Sequence, residues 1–396
     1  MKKINKNHFQ VIEYEKILKE EITSKYFKEL EDIAKTNEFL SFTKTGDLKS
    51  QNYVGIIQTK NGCVLEILPK ISKYDNYEES KNLLINMIKT LKNHPFKNLN
   101  TTNLKTQKMP LLEIFISYFL DEVDKLIKKG IKKDYVNIQN NQKFLKGKLL
   151  ISKHIKKNIV HKERFFVEYD EYIENIIENR AIKTTLKILL KLSKSFNNQK
   201  RIREYLFVFD DVGEIKKHEL NNINLDRTKS YYKNVIEICK IFLDNKSYTI
   251  YKGDNISFAL LFDMNRLFES FVGFWFKKFL DVKLQDNKHY LLYNEKNKYF
   301  NLRPDIVYGD KIYDTKWKII DTHSDVLNND VYQMYAYLNK YEAKEVSLIY
   351  PKINELKDKI YKFENEKELK IKFFDLDSFS KMSFEEKKSY ISKIAN

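Results

Sequence analysis

Between Arg303 and Lys318 the chain reads RPDIVYGDKIYDTKWK, and this stretch constrains the fold more than any other. Gly309-Asp310, flanked by alternating runs, fits a two-residue hairpin loop, because glycine takes the first loop position at no steric cost. Tyr308 then lies opposite Lys311, and the same register sets Asp305 opposite Asp314 on one face, with Cβ atoms about 4.5–5.5 Å apart. Two carboxylates so placed repel by about 3 kcal/mol at an effective dielectric of ~20. A divalent cation between them reverses the sign of that term, and Mg²⁺ is typically held by one or two carboxylates plus substrate phosphate. The strand period puts Lys316 on the face of Asp314, where its ammonium can orient a water or offset phosphate charge. The Thr315 carbonyl is a further candidate ligand, and Lys318 and Arg303 are candidate phosphate contacts. Tyr313, Thr315 and Trp317 are expected to point the other way, into a core. The plainer reading leaves both aspartates solvated on a half-exposed edge. Pro304-Asp305 at hairpin-matched distance weighs against it.

The surrounding pattern also weighs against it. An apolar helix over 265–280 precedes β-runs at 290–293, 299–308 and 311–320. A helix over 329–341 and a strand over 346–350 follow, then a strand near 371–374 and a final helix. Helix, three strands, helix, strand describes a compact α/β sandwich. Earlier in the chain, 8–14 alternates like a strand, and 24–36 reads as a helix with Ser24 as its N-cap. The runs 53–58 and 63–68 are strands joined through Asn61-Gly62. From about 78 to 243 the pattern is mainly helical: 82–91, 111–128 stopped by Gly130, a long helix over 172–196, and 231–243. The polar 137–141 reads as a loop and 207–212 as a short strand. The expected organisation is multidomain α+β and α/β: residues 1–75 mixed α/β, 76–250 mainly helical, and 251–396 the sandwich. The last boundary falls in the polar stretch 245–255.

The chain has 72 Lys plus Arg against 55 Asp plus Glu, a net charge of +17. Such an excess favours a polyanionic partner, nucleic acid or an anionic membrane face, although an AT-rich coding sequence produces the same lysine bias. Cys63 and Cys239 match no zinc spacing and are expected in the core of a protein from a reducing compartment. No run approaches the roughly 20 apolar residues of a membrane helix, and no apolar segment follows the basic Met1–Lys6, so a cytoplasmic protein is expected.

Several blocks together resemble the McrC family, the nuclease subunit of McrBC restriction systems (LlaJI-type members included), within the PD-(D/E)xK superfamily. They are YVGIIQ at 53–58 with LEILPKI at 65–71, FLKGKL at 144–149, Glu174-Asn175 with Glu178-Asn179-Arg180-Ala181, Asn265-Arg266-Leu267-Phe268-Glu269, and Pro304-Asp305 with Asp314-Thr315-Lys316-Trp317-Lys318. They occur in the family's order and cover most of the chain. The resemblance implies a Mg²⁺-dependent (or Mn²⁺-dependent) endonuclease that cuts double-stranded DNA and docks, through its N-terminal and middle regions, on an McrB-like AAA+ GTPase that it stimulates. It implies Asp305 and Asp314 as metal ligands and Lys316 as the catalytic lysine. Glu269 becomes the carboxylate of the first helix, and Gln333 a polar helix residue facing the site. The plainer reading of Glu269 is an ion pair with Arg266 or Lys277. The chain has no G-x-x-x-x-G-K-[ST] loop, so the nucleotide engine belongs to the partner.

Other features fit blander roles. His154 and His161, in the basic stretch 153–164, lack a zinc partner and read as solvated or phosphate-facing. The aromatic runs at 268–279 and 332–337 follow helical spacing and read as core. Two competing functions remain: a stand-alone PD-(D/E)xK repair or junction nuclease, and a non-catalytic activator or scaffold of the GTPase. The long region before the sandwich disfavours the first, and an intact Asp305, Asp314 and Lys316 disfavours the second.

Overall fold

A computed structural model describes residues 1–71, 76–92, 94–99, 109–244, 256–364 and 366–396. The stretch 245–255, where the sequence places a boundary, lies outside the described residues. Two compact units emerge, Met1–Leu111 with Lys246–Asn396, and Leu112–Asn245, where the sequence reading divides the chain into three consecutive domains. The difference has a local cause. Ile256–Asp263 is a strand that the sequence reading does not assign, and it pairs antiparallel with Tyr53–Thr59. A nearly continuous apolar run carries no alternation to mark it as a strand.

In the first unit one sheet runs in the order Lys2–Asn5, His8–Ile12, Val64–Leu68, Tyr53–Thr59, Ile256–Asp263. His8–Ile12 and Val64–Leu68 are parallel, and the Asn61-Gly62 hairpin joins the two central strands antiparallel. Gly55 sits in the middle at φ +134°, and a Cβ there would lie 2.1 Å from the Leu260 carbonyl oxygen. Only glycine fits so close a strand crossing. The helix expected from Ser24 is present as Ser24–Thr36, but Thr23 is its N-cap residue.

The hairpin belongs to a second sheet of the same unit, ordered Lys283–Leu284, Ile306–Tyr308, Lys311–Thr315, Glu345–Pro351, Glu368–Phe374, Lys359–Lys362. Its register is the one a two-residue loop dictates: Tyr308 opposite Lys311, Val307 opposite Ile312 and Ile306 opposite Tyr313. Gly309 adopts φ +57°. Glu345–Pro351 joins Lys311–Thr315 in parallel, so its connection crosses over through the helix Asn328–Lys340. That helix contributes Met334, Tyr337 and Leu338 to a core with Ile312, Val346, Leu348 and Tyr350. Burying each such side chain contributes roughly 1.5–3 kcal/mol. Toward the other helix, Met264–Phe279, Phe268 packs on Trp317 and Phe276 on Tyr313, each with ring centroids 5.3 Å apart. Helices thus cover the sheet by way of the alternating residues of one strand, as the sandwich reading expects. The first expected strand of the three is not in this sheet. Residues His289–Asn294 and Asn297–Leu302 form a separate two-stranded ribbon, and the short Lys283–Leu284 takes the edge position.

The second unit corrects three local readings. The polar 137–141 is not a loop but part of the strand Asp134–Gln142, paired along its length with Phe165–Ile173. Polar cross-strand contacts, Asn137 to Asp170 at 3.1 Å and Gln139 to Glu168 at 2.9 Å, replace the apolar pairs that would have marked it. The helix expected over 172–196 runs Ile177–Leu192, and 207–212 is not a strand, since Phe196–Val208 is helical. The helix starts late because Asn179, fully buried, donates to the carbonyls of Glu174 (2.7 Å) and Lys132 (3.0 Å) and accepts from the Tyr232 hydroxyl (2.8 Å). Glu174 and Asn179 both come from the Glu-Asn block noted in the sequence. Cys63 and Cys239 are buried and free. Among the described residues no helix is long and apolar enough to cross a membrane.

Candidate active site

The residues singled out in the sequence meet at the far end of Lys311–Thr315. Asp305 lies one residue before its strand, and its Oδ2 accepts from the backbone N–H of Thr315 (2.7 Å) and from the Thr315 hydroxyl (2.6 Å). The Thr315 side chain therefore turns to Asp305, not into the core as the alternation implies. Tyr313 and Trp317 do bury. Asp314, 3% exposed, takes the Lys316 ammonium at 2.9 Å. The same ammonium donates to Gln333 Oε1 at 2.9 Å and lies 3.6 Å from Asp330. Gln333 in turn donates to the Tyr337 hydroxyl at 2.7 Å. Gln333 and Asp330 lie three residues apart on one helix face, which aims both at Lys316.

Glu269 arrives from the helix Met264–Phe279, and its partner is neither Arg266 nor Lys277. The Gln285 side-chain amide donates to Glu269 and, at 2.9 Å, to Asp305 Oδ1. Gln285 also donates its backbone N–H to the Asp305 carbonyl at 2.9 Å, and it holds a left-handed φ of +54°. Non-glycine residues adopt that conformation at a cost, and such strain gathers at functional sites.

Electrostatics single out the same group. Burial, then the nearby Asp305, push the Asp314 carboxyl up to about 7. Burial, then Glu269, raise Asp305 to about 6. Burial, then Asp314, raise Glu269. Lys316 stays above the usual lysine value because Asp314, Asp330 and Asp305 outweigh its burial. Three acids that hold each other's protons, beside an ammonium that does not lose its own, form a site short of positive charge.

Hard carboxylate oxygens suit Mg²⁺ or Mn²⁺. Among the described residues no three His, Cys, Asp or Glu side chains are gathered tightly enough to hold an ion unaided. Mg²⁺ asks for less, since one or two carboxylates with substrate phosphate and water complete its shell. The hard oxygens of Asp305 and Asp314 fit that smaller demand, and these are the residues that would hold the ion.

Glu269, Gln285 and Asp305 open into a cavity of about 820 Å³, whose walls also carry Lys92, Arg266, Lys277, Lys278 and Arg303. Arg303, Lys92 and Arg266 each act on Glu269 through their charge. Lys318 does not join them, because its ammonium donates to the Asp325 carbonyl. In the second unit, His161 is exposed beside Glu163, whereas His154 accepts from or donates to Asn158 at 3.0 Å and stacks on Phe165.

Sequence reasoning missed Gln285, Asp330, Tyr337 and Glu13. Glu13 is buried behind the site, where both its oxygens accept from the Trp317 indole N–H at 2.9 Å. Only Asp330, at helical spacing from Gln333, carried a readable signal.

The model of the McrBC 5-methylcytosine restriction system component family matches residues 48–351. No curated protein matches the sequence. Among solved structures, the chain is similar to one in the refined half-complex from the tetradecameric assembly of Thermococcus gammatolerans McrB AAA+ hexamers with bound McrC. That match has 20% identity and a TM-score of 0.69, covering 98% of this chain and 99% of the other. The cryo-EM structure of the Thermococcus gammatolerans McrBC complex also matches, at 22% identity and a TM-score of 0.48, over 67% of this chain and 86% of that one. A family match across most of the chain, site-bearing hairpin included, makes this protein a member of the McrBC 5-methylcytosine restriction system component family.

Proposed function

We propose that this chain is the endonuclease subunit of an McrBC-type restriction system, with a PD-(D/E)xK active site that hydrolyses phosphodiester bonds of double-stranded DNA. The observation that carries this reading is the cluster in which the Lys316 ammonium meets Asp314 at 2.9 Å while Gln285 bridges Asp305 to Glu269, three buried acids of raised proton affinity beside one charged lysine. When bound, Mg²⁺ (with Mn²⁺ as a substitute) supplies Lewis acidity and a water of lowered pKa. The protein's own residues do the rest. Asp305 and Asp314 hold their oxygens on one side of the hairpin, and Thr315 orients Asp305 through its N–H and hydroxyl. Lys316 acts as an ammonium donor to the scissile phosphate rather than as a base, because its surroundings favour the charged form. Gln333 and Asp330 fix where that ammonium sits. Arg303 and Arg266, on the cavity wall, guide the phosphate backbone toward Glu269 and Asp305.

The partner reading rests on the family and on the likeness to a structure of McrB AAA+ hexamers with bound McrC. In this reading the chain docks on an McrB-like AAA+ GTPase, stimulates it, and leaves DNA readout largely to it. The purified chain with that GTPase, GTP and Mg²⁺ should cut methylated or cognate DNA. Asp314→Ala should bind the partner and stimulate GTP hydrolysis as the wild type does, while cleavage falls by at least about 100-fold. Undiminished cleavage by Asp314→Ala would remove the assignment.

A further inference from the structure

A second cleft opens next to the cavity that holds Glu269 and Asp305, and the two share Thr90, Phe274 and Lys278 in their walls. It encloses about 480 Å³, and its working residues are Lys97, Phe274, Trp275, Lys278, Phe379 and Lys387. Three features set it apart from ordinary surface. The ammonium groups of Lys278 and Lys387 both stand 5.2 Å from the centroid of the Trp275 ring. No ion pair with a carboxylate is made by either lysine among the described residues, and burial together with Lys278 holds the Lys387 ammonium below the usual lysine value. The Trp275 indole N–H is buried with no acceptor among the described residues. A buried donor without an acceptor is destabilising, and two like charges beside one ring repel each other.

The two ammonium groups need the same thing: oxyanion oxygens seated beside the Trp275 ring that neutralise them both. We infer that this cleft is a phosphate subsite for the DNA backbone, seating a phosphodiester along the strand from the one at the candidate active site. The inference rests on the nuclease reading for the identity of the anion, and on the cleft alone for the existence of the site. Continuity of the walls with the first cavity selects a nucleic-acid strand over a free anion, since one polyanion can occupy both. The basic residues of the first cavity, Arg266, Lys277 and Arg303, extend the same track. The rings of Phe274, Phe379 and Phe279 brace Trp275 from the side, with Phe279 stacked at 5.7 Å, so the indole is held rather than free to flip.

The chain has two tryptophans, so the fluorescence difference between wild type and Trp275→Phe isolates the signal from the cleft. In metal-free buffer, where no cleavage occurs, duplex DNA should quench that signal saturably. The Lys278→Ala/Lys387→Ala double variant should abolish the quench, and Lys278→Arg/Lys387→Arg should restore it. The double alanine variant should also lower the slope of log affinity against log salt by about 2, one for each ammonium taken from the phosphate backbone. Inorganic phosphate and a nucleoside triphosphate are the competing probes. A quench by either at concentrations where DNA gives none would make this a small-anion pocket and overturn the DNA track. An unchanged salt slope with no quench by DNA would overturn the site itself. The two readings separate cleanly: DNA-dependent quenching without Mg²⁺-dependent cleavage sinks the nuclease and spares the cleft, and cleavage without quenching does the reverse.

Discussion

A buried contact joins Glu13, just past the strand His8–Ile12, to Trp317, just past the active-site strand. Glu13 receives the Trp317 indole N–H on both oxygens, one residue after Lys316. Burial raises its carboxyl to about 8, more than its hydrogen bonds from Trp317 and the Lys70 backbone lower it. A folded-state value above the unfolded one means that the native protein holds an extra proton between roughly pH 4.5 and 8. Its stability contribution is full below the lower value and is lost as pH rises through the upper, at about 1.4 kcal/mol per pH unit. Glu13→Gln should flatten that decline, and urea unfolding at pH 5 and pH 8.5 would show it as a smaller difference between the two midpoints. Asp314 is raised in the same sense, so Asp314→Asn should stabilise the metal-free protein at neutral pH by about 1 kcal/mol or more while abolishing cleavage. A thermal midpoint that falls in that variant would mean Asp314 is a structural residue and not a strained functional one.

Among the elements, the two hairpins and the crossing at Gly55 bear the most consequence. Gly309 at φ +57° and Gly62 at φ +84° are where glycine-containing loops set strand register. Gly55 is different, because the limit there is space: its missing Cβ admits the Leu260 carbonyl. Gly55→Ala should cost about 3 kcal/mol or more, by analogy with overpacked cores and strained backbones, and a denaturant titration that moves by less than a third of that would show the sheet yielding instead. The hairpin at Gly309-Asp310 was legible because turn chemistry is local. The strand Asp134–Gln142 was not, since its faces are polar and its pairing with Phe165–Ile173 is known only once the partner is placed. For the same reason Ile256–Asp263 escaped notice until Tyr53–Thr59 lay beside it.

At the scale of the molecule, one unit gathers residues from both ends of the chain and the other is the continuous segment Leu112–Asn245. The candidate active site lies wholly in the first. Two cores of this kind need not melt together, so calorimetry should resolve more than one transition, or a calorimetric enthalpy that exceeds the van't Hoff value. Held as proposed by Asp305 and Asp314, Mg²⁺ should raise the transition of the first unit and leave the other in place, by about 2.7 kcal/mol at a hundredfold excess over its dissociation constant. Asp305→Asn/Asp314→Asn should erase that shift. An Mg²⁺ effect that persists in the double variant would place the ion elsewhere.

The hairpin and its register were determined by sequence alone, because loop stereochemistry and a period of two act over a few residues. Glu269 and Gln333 were within reach only through likeness to a family, since they approach the hairpin from helices far along the chain. Tertiary structure decided the rest. Gln285 bridging two acids, Asp330 beside Lys316, Glu13 under Trp317 and the twin lysines over Trp275 are neighbours in space with no shared period in sequence. Burial and proximity, which raise the proton affinity of these carboxylates, arise only when distant segments pack, so no local pattern encodes them.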